Sequence, residues 1–205
     1  EPLLEELEGV IAVHDRLILS SQPAKQAHWA QNIWRNPQVF NIDSINDAAK
    51  KLKAIQRSWC LYSYQLHRRA KLIEEKLNTR QIKPQVFPSP LPQTPPGSFT
   101  LMDENTLLAS AECSSPFPNG EAQFVEDKKG PPNRAYLKLY EALTLAGSQP
   151  QAGEFCIDVG GSPGGWAWVI HQCGAEVLSI DRSPLDPSIS NLNGVSFEKR
   201  DAFSL

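Results

Sequence analysis

The stretch CIDVGGSPGGWAWVIHQCGAEVLSID, from Cys156 to Asp181, decides the fold. Phe155, Cys156, Ile157 and Val159 form a short apolar run broken only by Asp158 and bounded by glycines, which predicts a buried parallel strand. Ser162 suits the N-cap of a following helix, Pro163 its first position, where a missing N–H costs nothing, and Gly174 the C′ position. The helix is therefore expected over about Pro163–Cys173, with Trp166, Val169, Ile170 and Cys173 toward the sheet. Glu176–Ile180 reads as the next strand, with Asp181 at its carboxyl end, and Val195–Lys199 as a third. This succession is an α/β, Rossmann-like arrangement.

In open α/β sheets the ligand lies beyond the carboxyl ends of the strands, and an acid about 20 residues after the glycine turn can accept ribose hydroxyls. Asp181 stands at that distance from Gly160. The loop Gly160-Gly161-Ser162-Pro163-Gly164-Gly165 lacks the spaced G-x-G-x-x-G that cradles a pyrophosphate, and no Gly-Lys-Ser/Thr follows as in a Walker loop. Pro163 also removes a donor that an anion would use. A nucleoside ligand without phosphates fits best, and a dinucleotide-dependent oxidoreductase ranks last.

Asp158 to Trp166 resembles the D-x-G-x-x-P-G-G-W signature of FtsJ-type S-adenosylmethionine-dependent 2′-O-ribose methyltransferases. Upstream, Asn133-Arg134-Ala135-Tyr136-Leu137-Lys138-Leu139 resembles the S-R-x-x-x-K-L segment that carries the family's first catalytic lysine, with asparagine here in place of serine. Ser115-Pro116-Phe117-Pro118-Asn119-Gly120 resembles the S-P-F-P-x-G segment of the RlmM-like group, which 2′-O-methylates a cytidine of large-subunit (23S) ribosomal RNA behind a THUMP-related RNA-binding domain. The three matches cover about Ser114 to Asp201; before residue 110 the likeness is one of layout.

The resemblance implies S-adenosylmethionine as cofactor and RNA as partner. Lys138 would be the first member of a catalytic Lys-Asp-Lys-Glu set, whose other members are expected beyond Leu205, so that the chain as given would be catalytically incomplete. A ribose hydroxyl is a poor nucleophile at neutral pH, and a nearby cation lowers the cost of its developing charge. The resemblance assigns the cofactor to Asn133, Asp158, Gly160, Ser162, Pro163, Gly164, Gly165, Trp166, Asp181 and Asp201. Asp158 would orient the methionyl amino group, Trp166 would line the site, Asp181 would take the ribose hydroxyls and Asp201 the adenine amino group. Asn133 is expected to cap a helix ending at Gly147, with Arg134, Lys138 and Glu141 on one face. A solvated polar face explains that spacing equally well without the motif.

Residues 1–126 read as a separate small α+β domain and 127–205 as the first part of the methyltransferase domain. Val10–Val13 and Leu17–Leu19 flank a polar turn as a hairpin, and Ser98–Met102 and Thr106–Ala111 form another. Ser44 caps a helix to about Arg57, and a second runs from about Gln65 to Leu77. Residues 83–97 carry six prolines and predict an extended connector. From Lys50 to Lys83 there are ten basic residues, among them Arg57, Arg68, Arg69, Lys71 and Arg80, against Glu74 and Glu75, a net of +8. Trp59, Tyr62, Tyr64 and His67 are interleaved with them, a mixture that single-stranded RNA binding uses. A solvated helix face with the aromatics in the core is the plain alternative.

At 205 residues and 40% hydrophobic the chain can bury a core, and its net charge of −3 excludes an overall basic coat. No run predicts a membrane span or signal peptide, and the four cysteines and four histidines show no metal-ligand spacing. A reduced, cytoplasmic protein without metal is expected. The absent initial methionine and the stop just after the third strand predict a fragment. The leading reading is an RNA ribose methyltransferase; the alternative is a fragment or degenerate relative that binds RNA without turnover.

Overall fold

The computed structural model describes residues 2–23, 27–77 and 83–201. It divides into two compact units, residues 1–82 with 92–122, and residues 83–91 with 123–205. Arg80 lies outside the described residues.

In the first unit, α1 (Pro2–Glu6) precedes the hairpin of β1 (Val10–His14) and β2 (Leu17–Ser20), which turns at Asp15 with φ 55°. β3 (Trp34–Arg35), β4 (Gln38–Asn41), α2 (Ile45–Ile55), β5 (Trp59–Leu61), α3 (His67–Leu77), β6 (Gly97–Leu101), β7 (Thr106–Ser110) and β8 (Glu112–Cys113) follow. The main sheet has the order β4-β7-β6-β5, with β5 parallel to β6 and the other pairs antiparallel. Ser44 caps α2 by accepting from Asp47 N at 3.1 Å, and Ala48, Ala49 and Leu52 are buried with Ala70, Ile73 and Leu77 of α3. Both helices are shorter than the apolar spacing predicts. α2 stops at Ile55 because Gln56 turns extended and the Trp59 indole, folded back into the core, donates to the carbonyls of Leu52 and Gln56. α3 starts at His67 because Leu66 takes φ 50° and the Gln65 amide is drawn to the Leu101 and Met102 carbonyls.

The second unit holds α4 (Tyr136–Ala146), β9 (Phe155–Val159), α5 (Gly165–Gln172), β10 (Glu176–Asp181), α6 (Pro187–Ser190) and β11 (Val195–Lys199). The sheet is parallel, in the order β11-β10-β9, and pairs Asp158 with Ser179 and Ile180 with Glu198. All three strands lie where the sequence predicts, but β9 is not fully buried. Phe155, Ile157 and Val159 are 60, 59 and 54% exposed, because their face of β9 is left uncovered among the described residues, whereas Asp158 on the other face is buried.

The proline-rich run is divided between the units. Residues 83–91 belong to the second, where Gln85 bridges to Phe124 and Phe87 stacks on Tyr140 with centroids 4.0 Å apart. Tyr136 and Trp168 continue this cluster edge to face, and burial pushes the Tyr140 hydroxyl up to about 12.

Candidate functional site

The loop after β9 is shaped by bonds to β10 and to the segment beyond it. Gly160, at φ 80°, donates to Ile180 O at 2.8 Å, and Ser162 N donates to Asp181 Oδ2 at 3.0 Å. The Ser162 hydroxyl donates to Pro184 O at 2.8 Å, so it does not cap α5 as the sequence predicts. The N-cap is Gly164, at φ 113°, and the helix begins two residues later than Pro163. Its other end agrees with expectation, since Gly174 has φ 86°.

The four loop glycines serve different ends. A Cβ on Gly164 would meet Ile189 at 2.8 Å, one on Gly165 would meet Asn133 Oδ1 at 2.5 Å, and one on Gly161 would lie inside van der Waals contact of Ser179 Oγ and Asp158 Oδ2. These three permit close packing. Of the four, only Gly160 has nothing within 4 Å in its Cβ direction among the described residues, so this side of the turn is open.

Three carboxylates stand at the carboxyl ends of the strands. Asp181 accepts from Ser183 N at 2.9 Å and from Ser162 N, and these donors hold its carboxyl below the usual carboxylate range. Asp201 is ion-paired with Arg182. Asp158 is 4% exposed; burial raises its carboxyl, partly offset by the Ser179 hydroxyl and the Ala167 N–H. Ser179 Oγ and Asp158 Oδ2 are enclosed, and although near neighbours, neither makes a hydrogen bond of good geometry.

Asn133 and Trp166 meet over the first turn of α5. The Asn133 carboxamide accepts from Ala135 N at 3.1 Å, and the Trp166 indole donates to Ala135 O at 3.1 Å. Trp166 is 41% exposed rather than against the sheet, whereas Val169 and Ile170 are buried as expected, together with Ala167. Asn133 braces the turn ahead of α4 and does not cap the helix itself, whose N-cap is Ala135. Lys138 is exposed and its side chain makes no hydrogen bond or ion pair among the described residues, whereas Arg134 pairs with Glu126 at 2.6 Å.

In the first unit the basic residues are unequally available. Lys51 is tied to Asp47 and Asn41 O, Lys53 to Lys76 O, and Lys71 to Glu74 at 2.5 Å. Arg69 has an enclosed Nε without a partner, while Arg57 and Arg68 are exposed. Arg68 lines an open groove of about 560 Å³ with Leu61, Ser63, His67, Lys71 and Glu74. Trp59 is core, but Tyr64 remains partly exposed and stacks on His14 with centroids 5.3 Å apart.

Ser179 was not legible as a site residue, its one signal being a polar residue between the apolar Leu178 and Ile180. Nor was Asp127, whose backbone brackets the Tyr136 hydroxyl and whose carboxylate accepts from Lys129 N and Gly130 N.

Residues 131–205 match the FtsJ-like methyltransferase family. Curated relatives are also found. Ribosomal RNA large subunit methyltransferase M of Halorhodospira halophila is 40% identical over 75 residues, 35% of this chain and 22% of that protein. The protein of the same name from Alkalilimnicola ehrlichii is 33% identical over 102 residues, 47% of this chain and 28% of the relative. That of Xanthomonas oryzae pv. oryzae is 29% identical over 167 residues, 77% of this chain and 44% of the relative, and so extends well before the FtsJ-like segment. The chain spans less than half the length of these relatives. Among the described residues no helix is long and apolar enough to cross a membrane, and no group of His, Cys, Asp and Glu could hold a metal ion.

Proposed function

We propose that the FtsJ-like segment holds S-adenosylmethionine and serves 2′-O-ribose methylation of RNA, in particular large-subunit ribosomal RNA in the cytoplasm. The observation that carries this reading is the Gly160 turn, open toward solvent on its Cβ side and pinned to the carboxylate that ends β10. A turn without phosphate-loop spacing, flanked by Asp181 and Asp201, suits a nucleoside. When bound, the cofactor supplies an electrophilic sulfonium methyl. Gly160 offers close backbone approach, Asp181 retains lone pairs for ribose hydroxyls, Asp201 faces the base, and Trp166 and Asn133 border the methionyl end, with Ser162, Pro163, Gly164 and Gly165 shaping the loop. Lys138, free of a counter-charge among the described residues, would place its ammonium against the developing oxyanion of the ribose.

Titration calorimetry of the chain with S-adenosylmethionine and, separately, NADH tests the cofactor. Saturable binding of the sulfonium compound alone is expected; binding of NADH alone would replace the methyltransferase by an oxidoreductase.

The first unit is read as a THUMP-related RNA-binding domain that contacts single-stranded RNA through Arg57, Arg68, Arg69 and Lys71. What supports this is the groove beside α3, with Arg68 exposed on its wall. Since Lys71 already carries the Glu74 carboxylate, Arg68→Ala should cost more than Lys71→Ala. Anisotropy titrations of a labelled single strand should show Arg68→Ala binding a few-fold more weakly, with a salt slope smaller by about one. An unchanged slope in that variant would remove Arg68 from the interface.

A further inference from the structure

Asp158 and Ser179 are both at least nine-tenths buried, at 4% and 0% exposure, and they face each other across β9 and β10 in register. Gly161 lies directly on the pair, with no room for a Cβ between. The first turn of α5 begins four residues after Gly161, and the Ala167 N–H is among the groups that favour the charged carboxylate. No side chain caps that helix, because Ser162 is committed to Asp181 and Pro184. A carboxylate set from the preceding strand beside a helix N-terminus that no side chain caps is favoured in its charged form by the free N–H groups of that terminus.

We infer that Ser179 and Asp158 are positioning residues, which set the Gly160–Ser162 turn and the start of α5 from beneath without touching the ligand. The reading of that turn as a cofactor loop is the one proposed above, and on it the Asp158 carboxylate acts on the methionyl end through the loop. Ser179 has a particular part. Burial opposes the charged carboxylate, and the Ser179 hydroxyl and Ala167 N–H are the groups that favour it. The elements packed on Asp158 bring one further charge, Asp181 at the end of β10, which opposes ionisation; the first turn of α5, Gly165 to Trp168, has no ionisable side chain. Without the hydroxyl, Asp158 would stay protonated to higher pH and the turn would lose its anchor over that range.

The test uses the ¹⁵N-labelled full chain without ligand. The Gly161 and Ala167 amide signals should titrate in the wild type with a midpoint above that of an ordinary aspartate, at a still higher pH in Ser179→Ala, and not at all in Asp158→Asn. Both substitutions nearly conserve volume, and circular dichroism verifies the fold. S-adenosylmethionine affinity should fall about tenfold in Ser179→Ala near its midpoint and recover as the pH is raised. A purely structural defect would leave a loss independent of pH. An unmoved midpoint in Ser179→Ala, or a titration that persists in Asp158→Asn, would overturn the proposal. Titrations as expected in a chain that never binds the sulfonium compound would sink the cofactor reading and not this one.

Discussion

Gly160→Ala is expected to leave the second unit folded and to abolish binding of S-adenosylmethionine, whereas Gly161→Ala is expected to unfold it. At Gly160 the positive φ of 80° costs an alanine about 1–2 kcal/mol, and the new methyl enters open space. A domain of ordinary stability tolerates that loss, but a ligand approaching the turn meets the methyl. At Gly161 the backbone is ordinary and the obstacle is contact. The methyl would press on Ser179 Oγ and Asp158 Oδ2, which are themselves buried and have little room to retreat. Overpacking of this kind costs roughly 1–3 kcal/mol even where neighbours adjust, and more where they cannot. Thermal melts followed by circular dichroism, paired with calorimetry, separate the two effects. If Gly160→Ala bound the cofactor as tightly as the wild type, the turn would not face the ligand.

Trp59→Ala should be the most damaging change in the first unit, at about 3–5 kcal/mol. The indole is 2% exposed, its N–H is shared between two carbonyls at 3.0 Å, and a Cβ on Gly97 would meet its ring at 2.8 Å. Removing it opens a cavity and strips the end of α2 of its anchor. Urea denaturation should show a midpoint far below that of the wild type, with Trp59→Phe intermediate. RNA affinity of Trp59→Phe should be unchanged, since the ring has no surface to offer; a drop would return this residue to the interface.

The contrast between Trp59 and Ser44 shows what the sequence carries. Ser44, the Gly147 and Gly174 helix ends and the alternating strands obey local rules that neighbouring residues alone enforce, and they lie where expected. Trp59 sits among cations, and nothing local distinguishes a stacking surface from a core ring. Ser162 has the composition of a cap, but a distant carboxylate and carbonyl claimed its N–H and hydroxyl first. The same competition displaced the start of α3, where the Gln65 amide found carbonyls at the end of β6. The carboxylates at the strand ends were legible because the topology of a parallel sheet dictates where they stand. Ser179 was not, because its meaning depends on the register of two strands and on a glycine eighteen residues earlier.

The division of the proline-rich run makes both units discontinuous, with the chain passing from one to the other three times. A cut at residue 126 or 127 would therefore not release either unit intact. The downstream piece would lose Phe87 and Phe124, the two rings that pack on Tyr140, and the upstream piece would keep the Gln85–Phe124 bridge without the tyrosine its rings cover. During synthesis residues 83–91 emerge before Phe124 and Tyr140 exist, while β6 and β7 arrive in time to complete the first sheet. The second unit can close only after the first has every strand it needs, so the order of assembly is written into the threading.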